Sequence, residues 1–141
     1  MYDIEKLGKM IFDIEKEFDN LEKFNLNEKN LNDSGAVYAS SMAMLSIVTR
    51  TINIAEEIVV KNEWGMPNNY GELFPVLSRN GVIGKDTAEE MEYLVKKRNV
   101  IAHYYFDIKP KEIFSIKKDI YSVKTFVEKI KKLISKNKEI K

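Results

Sequence analysis

The chain of 141 residues contains no cysteine, which excludes disulfides and thiolate metal sites. A single histidine also counts against zinc, which draws its ligands from several Cys and His side chains. No apolar run approaches the ~20 residues needed to span a bilayer. The opening Met1-Tyr2-Asp3-Ile4-Glu5-Lys6 carries acids and no signal-like apolar stretch, so the expected compartment is the cytoplasm, without a membrane partner. Excess charge is lacking too: the net charge is +1.

What is present is the composition of a folded protein, with 44% apolar and 32% charged residues. This length suits one domain around one core, here residues 1–141. The small net charge conceals an asymmetry. Residues 109–141 hold 11 lysines against Glu112, Asp119, Glu128 and Glu139, a net +7 that leaves −6 on the rest. Such an arm attracts nucleic-acid phosphates, although lysine-rich solvated helix faces are also common on soluble proteins.

Periodicity points to helices throughout. Ile4, Leu7, Ile11, Ile14, Phe18 and Leu21 form an amphipathic stripe. Residues 25–35 read as a polar loop, with Ser34 as the expected cap of the next helix. From Ala36 to about Lys61 apolar residues surround the wheel, so that helix needs burial on more than one side and suits a bundle centre that also makes a subunit contact. Gly65, Pro67, Asn68 and Asn69 end it, and Leu73, Phe74, Val76 and Leu77 mark a short helix closing at Asn80-Gly81. Asp86 or Thr87 is the expected cap of a helix with the stripe Met91, Leu94, Arg98, Ile101 and Tyr105. Pro110 opens a last helix in which Ile113, Ile116, Ile120, Val123, Val127, Ile130 and Ile134 repeat at helical spacing. Sustained alternation is absent. The expectation is an all-α, up-and-down four-helix bundle with one extra short helix.

The chemistry concentrates in Arg98-Asn99-Val100-Ile101-Ala102-His103-Tyr104-Tyr105, which holds the only histidine and one of three arginines. Histidine exchanges protons near neutral pH. Arginine offers a permanent charge on a planar fork that fits phosphate oxygens. RNA carries its own nucleophile, so cleavage needs only a base, an acid and positive charge at the non-bridging oxygens. On one helix Arg98 and Tyr105 share a face, as do Asn99 and His103. Arg98 and His103, however, lie roughly 140° apart at 3.6 residues per turn. One helix presents the pair poorly, whereas two helices facing across a dimer axis build a shared cleft. In it two His103 residues serve as acid and base, Arg98 clamps the phosphate, and Asn99 orients His103 or binds phosphate. The alternative is a satisfied core or boundary histidine beside an arginine held in a structural ion pair.

Arg98-Asn99-x-x-x-His103-x-Tyr105 resembles the R-x4-H-x-Y signature of HepT-like toxins in the HEPN superfamily. Asn53-Ile54-Ala55, Gly65-Met66-Pro67, Tyr70, Leu73-Phe74, Leu77 and Gly81-Val82-Ile83 follow the family's order, so the likeness covers about residues 36–108. It implies one HEPN-like helical domain that forms a homodimer or higher oligomer and acts as an endoribonuclease on tRNA or mRNA without metal or other cofactor. Arg98 and His103 would be catalytic and Asn99 supporting. It also implies a cognate minimal nucleotidyltransferase antitoxin that adenylylates Tyr105, placing charge and bulk beside Arg98. Glu56-Glu57 depart from the family pattern, and facing the cleft they would repel RNA. Two other functions fit the same residues: a non-catalytic module that binds nucleotide or a nucleotidyltransferase partner, and a plain helical oligomerisation domain.

Overall fold

The computed structural model describes residues 2–104 and 107–139, except for the side chains of residues 103, 104 and 137–139. All regular structure among the described residues is helical. α1 (Ile4–Phe24) is capped by Asp3, whose carboxylate accepts the Lys6 N–H at 3.0 Å. Its stripe Leu7, Ile11, Ile14, Phe18 and Leu21 is buried, chiefly against α2 (Ser34–Lys61). Asn25 ends α1 in the left-handed region at φ 46°, a conformation asparagine tolerates better than most residues. The loop beyond it is polar, as expected, but has an apolar anchor. Leu26 is fully buried, and its carbonyl accepts from Lys117 Nζ at 2.7 Å.

The cap of α2 is Asp33, not Ser34. Its carboxylate accepts from the Ala36 N–H at 3.2 Å, and Ser34 is already the first helical residue. A carboxylate also suits the positive end of the helix dipole better than a hydroxyl. α2 touches α1, α3, α4, α5 and α6, which is why it needs apolar residues nearly all round. Ser41 and Thr51 sit in this helix by donating to the Val37 and Ile47 carbonyls, each at 2.8 Å.

A 3-10 turn (Tyr70–Glu72) leads into the short α3 (Leu73–Arg79), and Gly81, at φ 76°, supplies the left-handed turn after it. α4 (Lys85–Tyr104) starts earlier than the expected caps Asp86 or Thr87. Ile83 anchors the approach in the core, and the Ala88 N–H already donates to the Gly84 carbonyl at 3.1 Å. Asp86 therefore falls in the first turn, where its charge still suits the dipole. The last periodic segment divides into α5 (Pro110–Ile120) and α6 (Val123–Glu139). At the joint the Ser122 N–H and hydroxyl both donate to the Asp119 carbonyl, at 3.1 and 2.8 Å, a local bond that competes with the helix ladder. Ile113, Ile116, Ile120, Val123, Val127 and Ile130 are nevertheless all buried.

α1, α2, α4 and the α5–α6 pair make the expected all-α bundle, with α3 as its extra short helix. One apolar cluster joins them, including an edge-on contact between Phe74 and Phe126 at 5.7 Å between centroids. Among the described residues no helix is long and apolar enough to cross a membrane.

Candidate active site

α4 carries the motif because its buried positions Ala88, Met91, Leu94, Val95 and Ile101 follow helical spacing. That spacing brings Arg98 to the α2 seam. Arg98 is only partly buried there, so its alkyl stem can line the seam while its charged head reaches the edge. Its Nε donates to Thr49 Oγ1 at 3.2 Å and its Nη1 to Asn99 Oδ1 at 3.1 Å. Among the described residues no carboxylate lies within ion-pairing distance of it. The alternative of an arginine held in a structural ion pair therefore finds no acidic partner there. Neutral oxygens fix the guanidinium without cancelling its charge, leaving it able to meet an anion.

Asn99 is exposed and spends its carbonyl oxygen on Arg98. The structure thus joins two of the motif's side chains directly. α4 remains helical through Tyr104, so the backbone of His103 stands five residues beyond Arg98, roughly 7.5 Å along the axis at 1.5 Å per residue. The side chain of His103 and all of Tyr105 lie outside the described residues. Thr49 is the residue that sequence reasoning missed. It is one hydroxyl among several on α2, 49 positions from Arg98, and only tertiary packing selects it.

Two recesses flank this point. A cleft of about 750 Å³ runs between the segment Met66–Leu73 and the α4 face of Glu92, Lys96 and Asn99. A more apolar groove of about 670 Å³ lies between Val37, Met42 and Leu45 of α2, Ile101 and Ala102 of α4, and Ile108 and Ile113. The acids that depart from the family pattern sit elsewhere. Glu57 pairs with Lys6 of α1 at 3.0 Å with its side chain only 10% exposed. It lies eight residues from Thr49 along α2, roughly 12 Å of helix rise. Its other oxygen, Oε2, is buried without a hydrogen-bond partner among the described residues. Glu56 lines a groove with Lys6 and Asn53.

The basic C-terminal segment is partly engaged within the molecule. Lys131 pairs with Glu15 of α1 at 3.3 Å, and Lys124 lies 5.0 Å from the centre of the Phe18 ring. Tyr121 donates to Glu22 at 2.7 Å. Burial first, and then that hydrogen bond and the carboxylate's charge, push its phenol up to about 12. On α4, Lys97 faces Glu112 at 3.8 Å, whereas Lys96 is exposed.

Residues 6–130 match the family described as Ribonuclease HepT-like. No curated protein sequence is similar enough to the chain to match it. Among solved structures, the chain resembles a tri-AMPylated Shewanella oneidensis HEPN toxin in complex with MNT antitoxin, with a TM-score of 0.82, 18% identity, and coverage of 93% of this chain and 98% of that one. It also resembles a toxin–antitoxin structure with AMP-PNP (TM-score 0.82, 17% identity, 92% and 98% covered). A third likeness is to YutE, a cytosolic protein of unknown function from Bacillus subtilis (TM-score 0.82, 16% identity, 97% and 95% covered). At these identities the structural likeness is one of fold.

Proposed function

The chain belongs to the HepT-like ribonuclease family, and on that premise we propose that it is a metal-independent endoribonuclease toxin of a toxin–antitoxin pair. The observation that carries this reading is the charge of Arg98, held by Thr49 and Asn99 and paired with no carboxylate among the described residues. An arginine wholly buried in a seam ordinarily needs its charge balanced. Half-buried Arg98 instead carries its charge to the seam's edge, without a carboxylate partner among the described residues. An arginine that must receive phosphate needs its charge kept.

In the reaction the 2′-oxygen of the RNA attacks the adjacent phosphorus while one His103 takes the 2′-hydroxyl proton. The bond from phosphorus to the 5′-oxygen breaks as the leaving oxygen receives a proton from a second His103. The products are a 2′,3′-cyclic phosphate and a 5′-hydroxyl. Arg98 stabilises the charge gathering on the non-bridging oxygens, and Asn99 supports Arg98. The two His103 residues come from two protomers, because Arg98 and His103 diverge around one helix. A homodimer is further supported by the apolar groove that Met42, 47% exposed, forms with Ile101 and Ala102 of α4.

The partner is an MNT-type nucleotidyltransferase, as in the S. oneidensis complex. It transfers AMP from ATP to the Tyr105 hydroxyl with release of pyrophosphate. The added phosphate places negative charge near Arg98, so the RNA phosphate is excluded by occupancy and repulsion.

The test is incubation of purified protein with tRNA or mRNA in EDTA, beside Arg98→Ala and His103→Ala. The unmodified protein should cleave and both variants should lose roughly 100-fold or more in rate. Equal cleavage by all three would trace the activity to a contaminant. Intact-mass measurement after incubation with the partner and ATP should show added AMP that Tyr105→Phe abolishes.

A further inference from the structure

The segment between α2 and α3 is a constructed platform. The Trp64 N–H donates to the Val59 carbonyl at 3.1 Å, and the indole packs partly buried against the core. Gly65 turns the chain at φ 90°. Asn69 then caps the following 3-10 turn, its side-chain oxygen accepting the Glu72 N–H at 3.1 Å, and that turn rests on α4. Such anchoring fixes the backbone at Tyr70, and its ring stands largely uncovered among the described residues. Tyr70 is 51% exposed and Met66 is 61% exposed. Both line the cleft of about 750 Å³ whose opposite wall is Glu92, Lys96 and Asn99. Asn99 is the residue bonded to Arg98, so the cleft adjoins the Arg98 site through that shared residue, although Arg98 itself does not line it.

We infer that this cleft is the subsite for a nucleobase flanking the scissile phosphate of single-stranded RNA, with Tyr70 as the stacking surface. The inference rests on the nuclease reading for the phosphate's location. An exposed aromatic ring on an anchored turn near a cationic phosphate site suits single-stranded nucleic acid, since every base offers a π-face. Lys96, exposed on α4, supplies charge for the next phosphate along the strand. The cleft also contains Glu72 and Glu92. Carboxylates there repel a phosphate but accept hydrogen bonds from exocyclic amino groups. The subsite therefore takes the base rather than the backbone, and it favours amino-bearing adenine, cytosine or guanine over uracil.

The experiment compares unmodified protein with Tyr70→Ala, Tyr70→Phe and Glu72→Gln, by cleavage of a randomised single-stranded RNA and by anisotropy with a 2′-deoxy oligonucleotide that cannot be cut. Tyr70 is exposed, so melting curves should coincide. Tyr70→Ala should raise KM and the oligonucleotide Kd roughly tenfold, the loss expected for one stacked base, with kcat nearly unchanged. Tyr70→Phe should restore both, and Glu72→Gln should weaken the discrimination against uracil. Unmodified protein that binds through Tyr70 without cutting would support the subsite and overturn the nuclease reading. Cleavage and binding indifferent to Tyr70→Ala would overturn the subsite and leave the nuclease standing. A Tyr70→Phe variant as weak as Tyr70→Ala would overturn stacking, and protein that neither binds nor cuts would overturn both.

Discussion

In the proposed site, Arg98 stays available to phosphate because its partners are neutral. Thr49 and Asn99 restrict its rotation through hydrogen bonds at 3.2 and 3.1 Å, while its charge stays available. Thr49→Val should therefore preserve the fold but let the guanidinium wander, lowering RNA cleavage by about tenfold, the effect of losing one hydrogen bond of about 1.5 kcal/mol. Unchanged cleavage with an unchanged melting curve would remove Thr49 from the site. Arg98 stands out in the sequence as a candidate because the motif contains it, and because a cation in an apolar stripe asks for an explanation. Thr49 was not legible: Ser40, Ser41, Ser46 and Thr51 offer similar hydroxyls on the same helix, and no local pattern distinguishes them. Tyr121 gives a separate residue-scale expectation. Its folded phenol is pushed up to about 12 from an unfolded value near ~10, so the fold favours the neutral form. The associated stability is present below that unfolded value and is lost as pH rises toward 12. Absorbance titration at high pH should show a late tyrosinate component that Tyr121→Phe removes.

Helix faces were readable because burial imposes a period, whereas helix ends depend on single hydrogen bonds. The α1 stripe from Leu7 to Leu21 lies in the core as its spacing requires. The cap of α2 falls one residue early because Asp33 rather than Ser34 meets the Ala36 N–H. Asp33→Ala should cost about 1 kcal/mol in urea unfolding, while Ser34→Ala should cost much less. The division between α5 and α6 was hidden for a related reason. The turn at Tyr121-Ser122 keeps Ile120 and Val123 on the buried side, so the three-four repeat passes through it unchanged. Leu26 shows the opposite limit. It is a lone apolar residue among Asn25, Asn27 and Asn30, read as loop, yet it is wholly buried. Leu26→Ala should destabilise the protein by about 2–5 kcal/mol, more than any substitution of those asparagines.

At the scale of the molecule, α2 is both the hub of the bundle and its open side. Its composition announced burial on several sides, but only the fold identifies the least covered face. That face runs from exposed Met42 through half-buried Leu45, Thr49, Asn53 and Glu56 to exposed Val60. The groove beside Met42 and Ile101 adjoins the end of α4 that carries the motif, so a subunit contact there would join two motif helices. Met42→Glu should shift the protein toward monomer in light scattering and reduce RNA cleavage in the same proportion, with helicity retained. A monomer that cleaves at the full rate would contradict a shared cleft. The family, too, was legible from one motif and its upstream context, and the match over residues 6–130 establishes it. The motif does not specify how two copies would meet, because that depends on surfaces far apart in sequence.

Cleavage of RNA by Arg98 and His103 through its own 2′-hydroxyl would leave a chemical record in the product ends. The most direct test is end-group analysis of a defined RNA cut in EDTA by the unmodified protein, Arg98→Ala and His103→Ala. The expected result is 2′,3′-cyclic phosphate and 5′-hydroxyl ends from the unmodified protein, formed roughly 100-fold or more slowly by each variant. Ends carrying a 5′-phosphate, or equal rates from all three proteins, would contradict this chemistry.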